Sequence, residues 1–302
     1  MLSSEALTII QQIAGSIEAL ELISQTHRRV YLAETASGRH VVKEILDPTM
    51  RPFIEKAVID KLAPNDLFCP ISHVQRLKES EGSLVIRPYI DGSSLDSVIR
   101  KGAFSQEQAK MWASDLHRTF QYLLTVPAEG FGRPTLTRSP EFASWTDYLD
   151  QYLNRQRDKA LRMAAMRFEQ LRERFESLRN KLDEETPVPH VINADPNARN
   201  YLVVSPSNRL RQIHMPNIQH GDPAVPYGDA MIHYHGTPIL DELLKLSEFP
   251  SWRLHFYAAF AAYAILAFCE QYSSSPLEEA VPWGGDRPLL ELLDENLKAL
   301  QF

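Results

Sequence analysis

A polar loop with two chemically useful side chains interrupts an apolar stretch of the sequence. The segment from His190 to Val204 reads HVINADPNARNYLVV, so one strand-like run enters the loop and a second one leaves it. Asp195 and Asn200 lie five positions apart in this loop. A carboxylate can orient a hydroxyl acceptor and take its proton, and an amide oxygen can bind the magnesium ion that bridges nucleotide phosphates. The loop therefore carries side chains that phosphoryl transfer requires, although Asp and Asn are also ordinary turn formers.

A lysine and a glutamate near the N-terminus could hold the phosphates of a nucleotide. Lys43 ends the run HVVK, and Glu55 lies in the helical segment FIEKAVIDKLA. An ion pair between the two would fix the ammonium in one position. Because a hairpin precedes Lys43 and a helix with a glutamate follows it, we interpret it as a phosphate-binding residue rather than a surface lysine.

These segments resemble the aminoglycoside phosphotransferase and choline-kinase-like families, whose loop reads H-x-D-x-x-x-x-N before an apolar strand. The chain matches at Asp195, Asn200, Leu202 and Val203, and it departs at Asn193, where the families usually have a histidine that supports the loop. The resemblance implies a Mg²⁺-ATP-dependent transfer of phosphate to a hydroxyl group of a small molecule such as an antibiotic, a sugar or an amino alcohol. It also implies that Asp195 is the catalytic base and that Asn200 binds the metal.

The resemblance extends to the ATP-binding residues. Lys43 and Glu55 correspond to the kinase strand lysine and its helix partner, and the segment SLVIRPYIDGSSL looks like the hinge that contacts adenine. Pro88 has no N–H, so we expect the hinge donor at Tyr89 or near Asp91. The segment QTHRR takes the place of a glycine-rich loop, which favours a small-molecule kinase over a protein kinase.

The second metal ligand has two incompatible placements in the sequence. Hairpin spacing from Asn200 places it at His214, and a histidine would bind magnesium poorly because a hard cation prefers oxygen. The other candidate is Asp222, in the segment DPAVPYGD, which resembles a segment of fructosamine-kinase relatives. We prefer Asp222 because a carboxylate is the chemically sensible ligand.

The placement at His214 keeps open an alternative function, a pseudokinase that binds nucleotide without metal-dependent transfer. A zinc site is a less favoured possibility among the histidines of this region, His214, His220, His233 and His235.

The elements that must position these residues divide the chain into two lobes. The order strand, strand, strand, helix, strand, strand in the first 90 residues predicts a small antiparallel sheet with one packed helix, and the chain is mainly helical afterwards. We therefore predict an α+β, bilobal, protein-kinase-like fold. Its N-terminal ATP-binding lobe spans 1–91, and its C-terminal lobe spans 92–302 and contains the catalytic loop and a helical substrate-binding insert.

Three helical patterns stand out in the C-terminal lobe. Ser105 and Gln108 form a capping-box signature at the start of a helix. Apolar residues at spacings of three and four predict one long amphipathic helix between Asp150 and Glu185, packed on its own lobe, with a coiled-coil dimer as the alternative. The apolar stretch 252–268 contains Arg and His, which favours a buried core helix over a membrane span.

Composition narrows the classes of partner. A formal net charge of −7 argues against a general nucleic-acid or anionic-membrane binder. Cys69 and Cys269 lie far apart and outside any CxxC motif, which favours a reducing, cytoplasmic setting. We expect a small-molecule acceptor, no nucleic-acid or membrane partner, and a monomer or homodimer. Four acidic residues could attract a cationic acceptor: Asp241, Glu242, Glu270 and Glu278.

Overall fold

The computed structural model describes residues 2–25, 28–46, 51–62, 65–78, 80–102, 104–135, 138, 140, 142–272 and 289–300. In chain order the helices and strands within these ranges are α1 (Ser4–Ala14), β1 (Ile17–Gln25), β2 (Arg28–Thr35), β3 (Gly38–Ile45), α2 (Arg51–Leu62), β4 (His73–Arg76), β5 (Ser83–Pro88), β6 (Gly92–Ser94), α3 (Leu95–Lys101), α4 (Gln106–Leu123), α5 (Trp145–Arg157), α6 (Met163–Glu185), β7 (His190–Asn193), β8 (Tyr201–Val204), β9 (Leu210–Gln212), β10 (Ile218–Gly221), α7 (Val225–His233), α8 (Pro238–Lys245), α9 (Ser251–Tyr272) and α10 (Leu289–Ala299). The predicted α+β fold, with a sheet-containing lobe followed by a mainly helical one, is confirmed.

The N-terminal lobe is a five-stranded antiparallel sheet with a helix on each face. Its strand order is β1-β2-β3-β5-β4. The predicted hairpin joins β2 to β3, with Thr35 opposite Gly38. Gly38 has a φ of 116°, a conformation that residues with a Cβ rarely adopt. Leu84 and Ile86 of β5 pack on the α1 side of the sheet and Val85 on the α2 side, as the two-residue repeat of a strand requires.

The same alternation turns Lys43 toward α2. Lys43 on β3 lies opposite Val85 on β5, and directly opposed residues of an antiparallel pair point to one side of the sheet. Arg87, two residues after Val85, points to this side as well. The α2 side also holds an apolar cluster that includes Leu123, Val191 and other residues of the C-terminal lobe. The shared cluster keeps the two lobes packed on one another beside Lys43.

The C-terminal lobe surrounds two small sheets with helices. Strands β7 and β10 form one antiparallel pair, and β6, β8 and β9 form a three-stranded sheet. The predicted capping box is present at the start of α4, where Ser105 and Gln108 hydrogen-bond reciprocally. Within the part of the chain that the structure describes, one helix, α9, is long and apolar enough to cross a membrane, and 67% of its apolar window is buried inside the protein. It packs against α6, α7 and α10, as the predicted core helix.

The structure corrects the prediction of one long helix between Asp150 and Glu185. Two helices, α5 and α6, occupy this region, and residues 158–162 between them are not helical. The carboxylate of Glu270 on α9 accepts hydrogen bonds from the backbone N–H groups of residues 161–164 and so satisfies the free donors at the start of α6. The apolar stripe of α6 is buried within the same chain, which removes the reason for a coiled-coil dimer.

Asp222 lies at the centre of a buried charge network in the C-terminal lobe. Its side chain is 0% exposed. Arg253 donates to both carboxylate oxygens at 2.8 Å, and the Thr186 hydroxyl donates to Oδ2 at 2.9 Å. The Tyr257 hydroxyl and the backbone N–H of Ala224 complete the shell. These contacts tie the end of β10 to α9 and to the end of α6.

Replacing Asp222 with Ala should lower the free energy of unfolding by about 3–5 kcal/mol, because the change removes the buried carboxylate of Arg253 and leaves the half-exposed Glu185 as its carboxylate partner. Urea denaturation of the two proteins measures the difference. The control is Asp60→Ala, which removes the partner of Lys56 from an ion pair in which Asp60 is 55% exposed, and its effect should stay below about 1 kcal/mol. Equal stability of the two variants would contradict a structural role for Asp222.

Candidate active site

The loop that carries Asp195 is held in shape by two amide side chains. Asn193, at the end of β7, and Asn200, in a single 3₁₀ turn before β8, each donate Nδ2 to the carbonyl oxygen of Asp195 at 3.1 Å. The backbone N–H of Asn197 donates to Asp195 Oδ1 at 3.3 Å. Asn193 therefore supports the loop at the position where the resembling families have histidine. With Nδ2 engaged, the oxygen of Asn200 is the atom that remains available as a ligand.

The carboxylate of Asp195 is 33% exposed and lies beside a buried histidine. The Nε2 atom of His233 on α7 is 3.8 Å from Asp195 Oδ1. Burial lowers the pKa of His233, and the Asp195 charge only partly opposes this. His233 is therefore neutral near pH 7. In the sequence it was one of several scattered histidines, and only packing shows that it borders the catalytic loop.

Glu55 is bound by partners other than the one predicted. Arg87 Nη2 lies 2.8 Å from Glu55 Oε1, and the backbone N–H of Met215 donates to the same oxygen at 2.6 Å. Burial raises the pKa of Glu55, but Arg87, His214 and Lys43 outweigh burial and hold this pKa well below its ordinary value. Glu55 is therefore ionised.

The structure thus corrects the predicted ion pair between Lys43 and Glu55. No carboxylate oxygen in the described ranges lies within 4.0 Å of Lys43 Nζ, although the charges of Lys43 and Glu55 are close enough to interact. Burial lowers the pKa of Lys43 to about 8, and Glu55 partly opposes this shift. Arg87 displaces Lys43 because it projects from the same side of the sheet and also donates to the Cys69 carbonyl oxygen at 2.9 Å.

His214 lies between the two lobes, next to the catalytic loop. The backbone N–H of the preceding residue, Ile213, donates to the Asn200 carbonyl oxygen at 2.8 Å. The Nδ1 atom of His214 is 3.1 Å from the Glu55 carboxylate, and Arg28 Nη1 is 3.2 Å from Nε2. Burial and the Lys43 charge lower the pKa of His214 to about 4, so the ring is neutral near pH 7.

Arg28 links this cluster to Asp195. Burial lowers the pKa of Arg28, while the nearby charges of Asp195 and Glu55 raise it. Arg28 belongs to β2 in the N-terminal lobe, and Asp195 belongs to the C-terminal lobe. Lys43, Arg28 and the Asp195 loop therefore lie close together where the two lobes meet, and this interlobe region is the candidate cleft. The two residues that precede Arg28 in the QTHRR segment, residues 26 and 27, lie outside the described ranges.

The preferred placement of the second metal ligand at Asp222 is corrected by the same geometry. In the β7–β10 pair, Ile218 is opposite Asn193 and Gly221 is opposite His190. Three strand residues span about 10 Å, so Asp222 lies beyond the end of the pair that is distant from the catalytic loop. Its oxygens are occupied by the Arg253 network. Asp222, the first residue of the octapeptide DPAVPYGD, therefore has a structural role, and His214 takes the position beside Asn200.

The donors at the cleft do not fit a complete protein site for magnesium. The Asn200 oxygen is a suitable ligand, but His214 offers nitrogen rather than oxygen, and both ring nitrogens already contact Glu55 and Arg28. No group of three or more His, Cys, Asp or Glu side chains that could hold a metal occurs in the described part of the chain. A zinc site among the described histidines is excluded for the same reason.

The predicted hinge donor at Tyr89 is also corrected. The backbone N–H of Tyr89 donates to the Arg39 carbonyl oxygen at 3.0 Å, which extends the pairing of β3 with β5. The Arg39 guanidinium stacks on the Tyr89 ring, 4.1 Å from its centroid. The Tyr89 N–H is therefore occupied within the sheet. The other expected donor, the backbone near Asp91, stays a prediction.

A cavity of about 410 Å³ opens beside Asp195, on the side of the loop that faces α5, α7 and α9. Its polar lining residues are Asp195, Asn197, Asn217, Gln219, Asp229 and His233.

Of the acidic residues expected to attract a cationic acceptor, the three that the structure describes do not line this cavity. Glu270 holds the start of α6, Glu242 contacts Lys245 and Gln106, and Asp241 is exposed at the surface. Glu278 lies outside the described residues.

No known family profile and no curated protein matches the sequence. Solved structures do match in shape. A thermostable mutant of the aminoglycoside phosphotransferase APH(4)-Ia, in ternary complex with ADP and hygromycin B, superposes with a TM-score of 0.74 at 14% identity over 99% of each chain. A putative aminoglycoside phosphotransferase from Ralstonia eutropha gives 0.68 at 14% identity over 99% of each chain. The spectinomycin phosphotransferase APH(9)-Ia, in complex with ADP and spectinomycin, gives 0.60 at 13% identity, with 99% of this chain and 98% of that one covered.

At these identities the likeness is one of fold, and it covers both lobes. The chain therefore has the bilobal, protein-kinase-like fold of the aminoglycoside phosphotransferases.

Proposed function

We propose that this protein is an ATP-dependent phosphotransferase that acts on a hydroxyl group of a small molecule. The observation that carries the proposal is the position of Asp195, between a cleft that contains Lys43 and Arg28 and a cavity of about 410 Å³. Cations on one side suit the phosphates of a nucleotide, and a ligand-sized cavity on the other suits an acceptor. The neighbouring folds support this arrangement, because APH(4)-Ia binds ADP with hygromycin B and APH(9)-Ia binds ADP with spectinomycin.

The residues of this chain can divide the reaction between them. Asp195 accepts the proton of the acceptor hydroxyl. The hydroxyl oxygen of the acceptor forms a bond to the terminal phosphorus of ATP, and the bond between this phosphorus and the ADP oxygen breaks. Lys43 and Arg28 place positive charge beside the phosphates. Asn193 and Asn200 hold the backbone of the loop, so that the Asp195 carboxylate keeps its direction. We assign no step to magnesium, because the residue beside Asn200 is His214 and not a second carboxylate.

A second candidate function is nucleotide binding without phosphoryl transfer. The observation that favours it is the neutral His214 ring, which is bonded to Glu55 and Arg28 beside the Asn200 loop. In that case Arg28 and Lys43 would balance the nucleotide charge by themselves. The two functions share the cleft and differ in whether Asp195 receives a proton from a bound acceptor.

The Asp195→Asn variant should separate binding from transfer. ATP is incubated with a panel of antibiotics, sugars and amino alcohols, and phosphorylated products are identified by mass spectrometry. For any acceptor that the wild type phosphorylates, Asp195→Asn should lower kcat by about 10²–10⁴, because the amide cannot take the proton, while the ADP affinity stays nearly unchanged. Asp60→Asn, at an exposed position on α2, is the control and should keep full activity. Unaltered transfer by Asp195→Asn would rule out its role as the base.

Nucleotide affinity should fall as the pH rises above 8. The pKa of Lys43 is lowered to about 8 in the free protein, mainly by burial, and bound phosphates would raise it again. Affinity is then highest below this pKa and decreases up to about tenfold per pH unit above it, since binding takes up one proton. Lys43→Arg stays protonated throughout and should give a flat profile. Calorimetric titration of ADP between pH 7 and pH 9 measures both, and identical slopes would contradict phosphate contact by Lys43.

The His214→Asp variant tests the second candidate function. A carboxylate beside the Asn200 oxygen supplies the hard ligand that the site lacks, so ADP binding should become stronger in MgCl₂ than in EDTA. Thermal melting with ADP under both conditions measures the change, because a ligand that binds only the folded state raises the melting temperature. His214→Asn is the matched control without the added charge. If the wild type already binds ADP as much more strongly in MgCl₂ as the variant does, and also forms a phosphorylated product, the second candidate function is contradicted.

A further inference from the structure

The cavity beside Asp195 has a mainly apolar and aromatic wall. Its rings and aliphatic side chains come from α5 and α9, two helices that pack against each other. The rings of Tyr152 and Phe260 stack with their centroids 5.5 Å apart. The aromatic members of the wall are Trp145, Tyr148, Tyr152, Tyr257, Phe260 and Phe268, and Leu149 and Ile265 are among its aliphatic members. A surface of this kind gains free energy by removing apolar ligand groups from water.

Two amide side chains of the cavity are already used within the protein. Asn217 donates Nδ2 to the Ala194 carbonyl oxygen at 2.7 Å, and its Oδ1 accepts from Arg133 at 3.1 Å and from Gln219 at 3.0 Å. The Oδ1 atom of Asn197 accepts from the backbone of the 3₁₀ turn at 2.9 Å. These amide atoms are therefore already engaged when a ligand that carries many hydroxyl groups enters, and unpaired polar groups in a closed site are costly.

The described lining of the cavity carries little charge. Its carboxyl groups are Asp195 and Asp229. Burial, together with the Asp195 charge, raises the pKa of Asp229 well above its ordinary value. Behind the aromatic wall, the Arg133 guanidinium lies 5.6 Å from the centroid of the Tyr152 ring and adds positive charge. A polycationic ligand would find two carboxyl groups in this lining, one of which releases its proton less readily than usual, and a nearby guanidinium.

Asp229 is a polar group of the cavity that is available to a ligand. It belongs to α7 and makes no hydrogen bond or ion pair within the described part of the chain. A ligand hydroxyl can bond to its carboxyl group, and a single ammonium can bind it as a carboxylate. The cavity thus offers a polar contact at Asp229 and a reacting position at Asp195, beside the apolar wall of α5 and α9.

We propose that the acceptor is an alcohol with an apolar, ring-containing body and at most one cationic group. Its hydroxyl lies at Asp195, its body contacts the wall formed by α5 and α9, and a second polar group reaches Asp229. This inference rests on the proposed phosphotransferase function and specifies its substrate class. It separates this chain from a protein whose acceptor is a polyhydroxylated polycation.

Three probes distinguish the acceptor classes by calorimetry and by product analysis with ATP. Naphthylethanol is neutral and apolar, tryptophanol adds one amine, and hygromycin B is a polyhydroxylated polyamine. The wild type should bind naphthylethanol or tryptophanol at least about tenfold more tightly than hygromycin B, and phosphorylate the bound alcohol. Asp229→Asn should weaken tryptophanol more than naphthylethanol, because only the former carries a cation.

Cavity variants locate the binding. Ala264→Phe on α9 adds a ring inside the cavity and should reduce alcohol binding at least tenfold with ADP affinity retained, which also reports that the variant is folded. Ile265→Gln, at a half-buried wall position, should have the same effect by a polar change. Gln271→Phe adds the same ring at the exposed end of the helix and should alter neither affinity.

The outcomes separate this inference from the proposed function. Tighter binding or selective phosphorylation of hygromycin B would overturn the inference and leave the phosphotransferase intact. Absence of binding by all three probes, or alcohol binding that both cavity variants retain, would overturn it as well. If ADP does not bind at all, the phosphotransferase proposal fails, and any alcohol binding then describes a ligand preference instead of a substrate.

Discussion

The buried carboxylate of Glu55 joins the two lobes of this protein. It lies on α2 and accepts hydrogen bonds from Arg87 on β5 and from the backbone of Met215, and it contacts the His214 ring. A buried carboxylate without such partners would strongly destabilise the fold, so the segments that carry the donors must stay together. The backbone N–H of Ile213, the residue before His214, bonds to the Asn200 carbonyl oxygen. The contact of His214 with Glu55 therefore also holds the Asp195 loop against the N-terminal lobe.

The partners of Glu55 also set the electrostatics of the cleft. Since Arg87 takes the carboxylate, Lys43 has no direct ion pair among the described residues, and burial weakens its hold on the proton. Arg28 adds a second cation that senses the Asp195 charge. A cation that is desolvated and only partly compensated gains more from an incoming anion than one that is already paired. Lys43 and Arg28 therefore favour an incoming anion at this boundary, where His214 rather than a carboxylate contacts Glu55 and Arg28.

The acceptor side depends on a different buried network. Trp145, which forms part of the cavity wall, donates Nε1 to the Tyr257 hydroxyl at 2.8 Å, and Tyr257 in turn donates to Asp222. Arg253 fixes Asp222 from α9, and Glu270 from the same helix fixes the start of α6. Side chains distant from the chemistry therefore determine the shape of the cavity. Asp222, the carboxylate that the sequence placed in the metal site, thus holds the wall of the cavity beside Asp195.

Much of the architecture can be predicted from local sequence patterns. The β2–β3 hairpin, the capping box at Ser105 and the strand-loop-strand unit around Asp195 depend on residues close together in the sequence, so alternation, turn residues and capping signals suffice to predict them. The resemblance of the Asp195 loop to known families also pointed to the two-lobed fold that the structure has.

The sequence by itself determined these elements, their order and the loop that carries Asp195. Only the tertiary structure decided that Glu55 binds Arg87, that Asp222 binds Arg253 and that the cavity beside Asp195 is mostly apolar. Carboxylates look alike in a sequence, and their roles follow from what packs around them. Glu55 meets Arg87 across 32 positions and Asp222 meets Arg253 across 31, and such distances lie beyond the reach of any local periodicity.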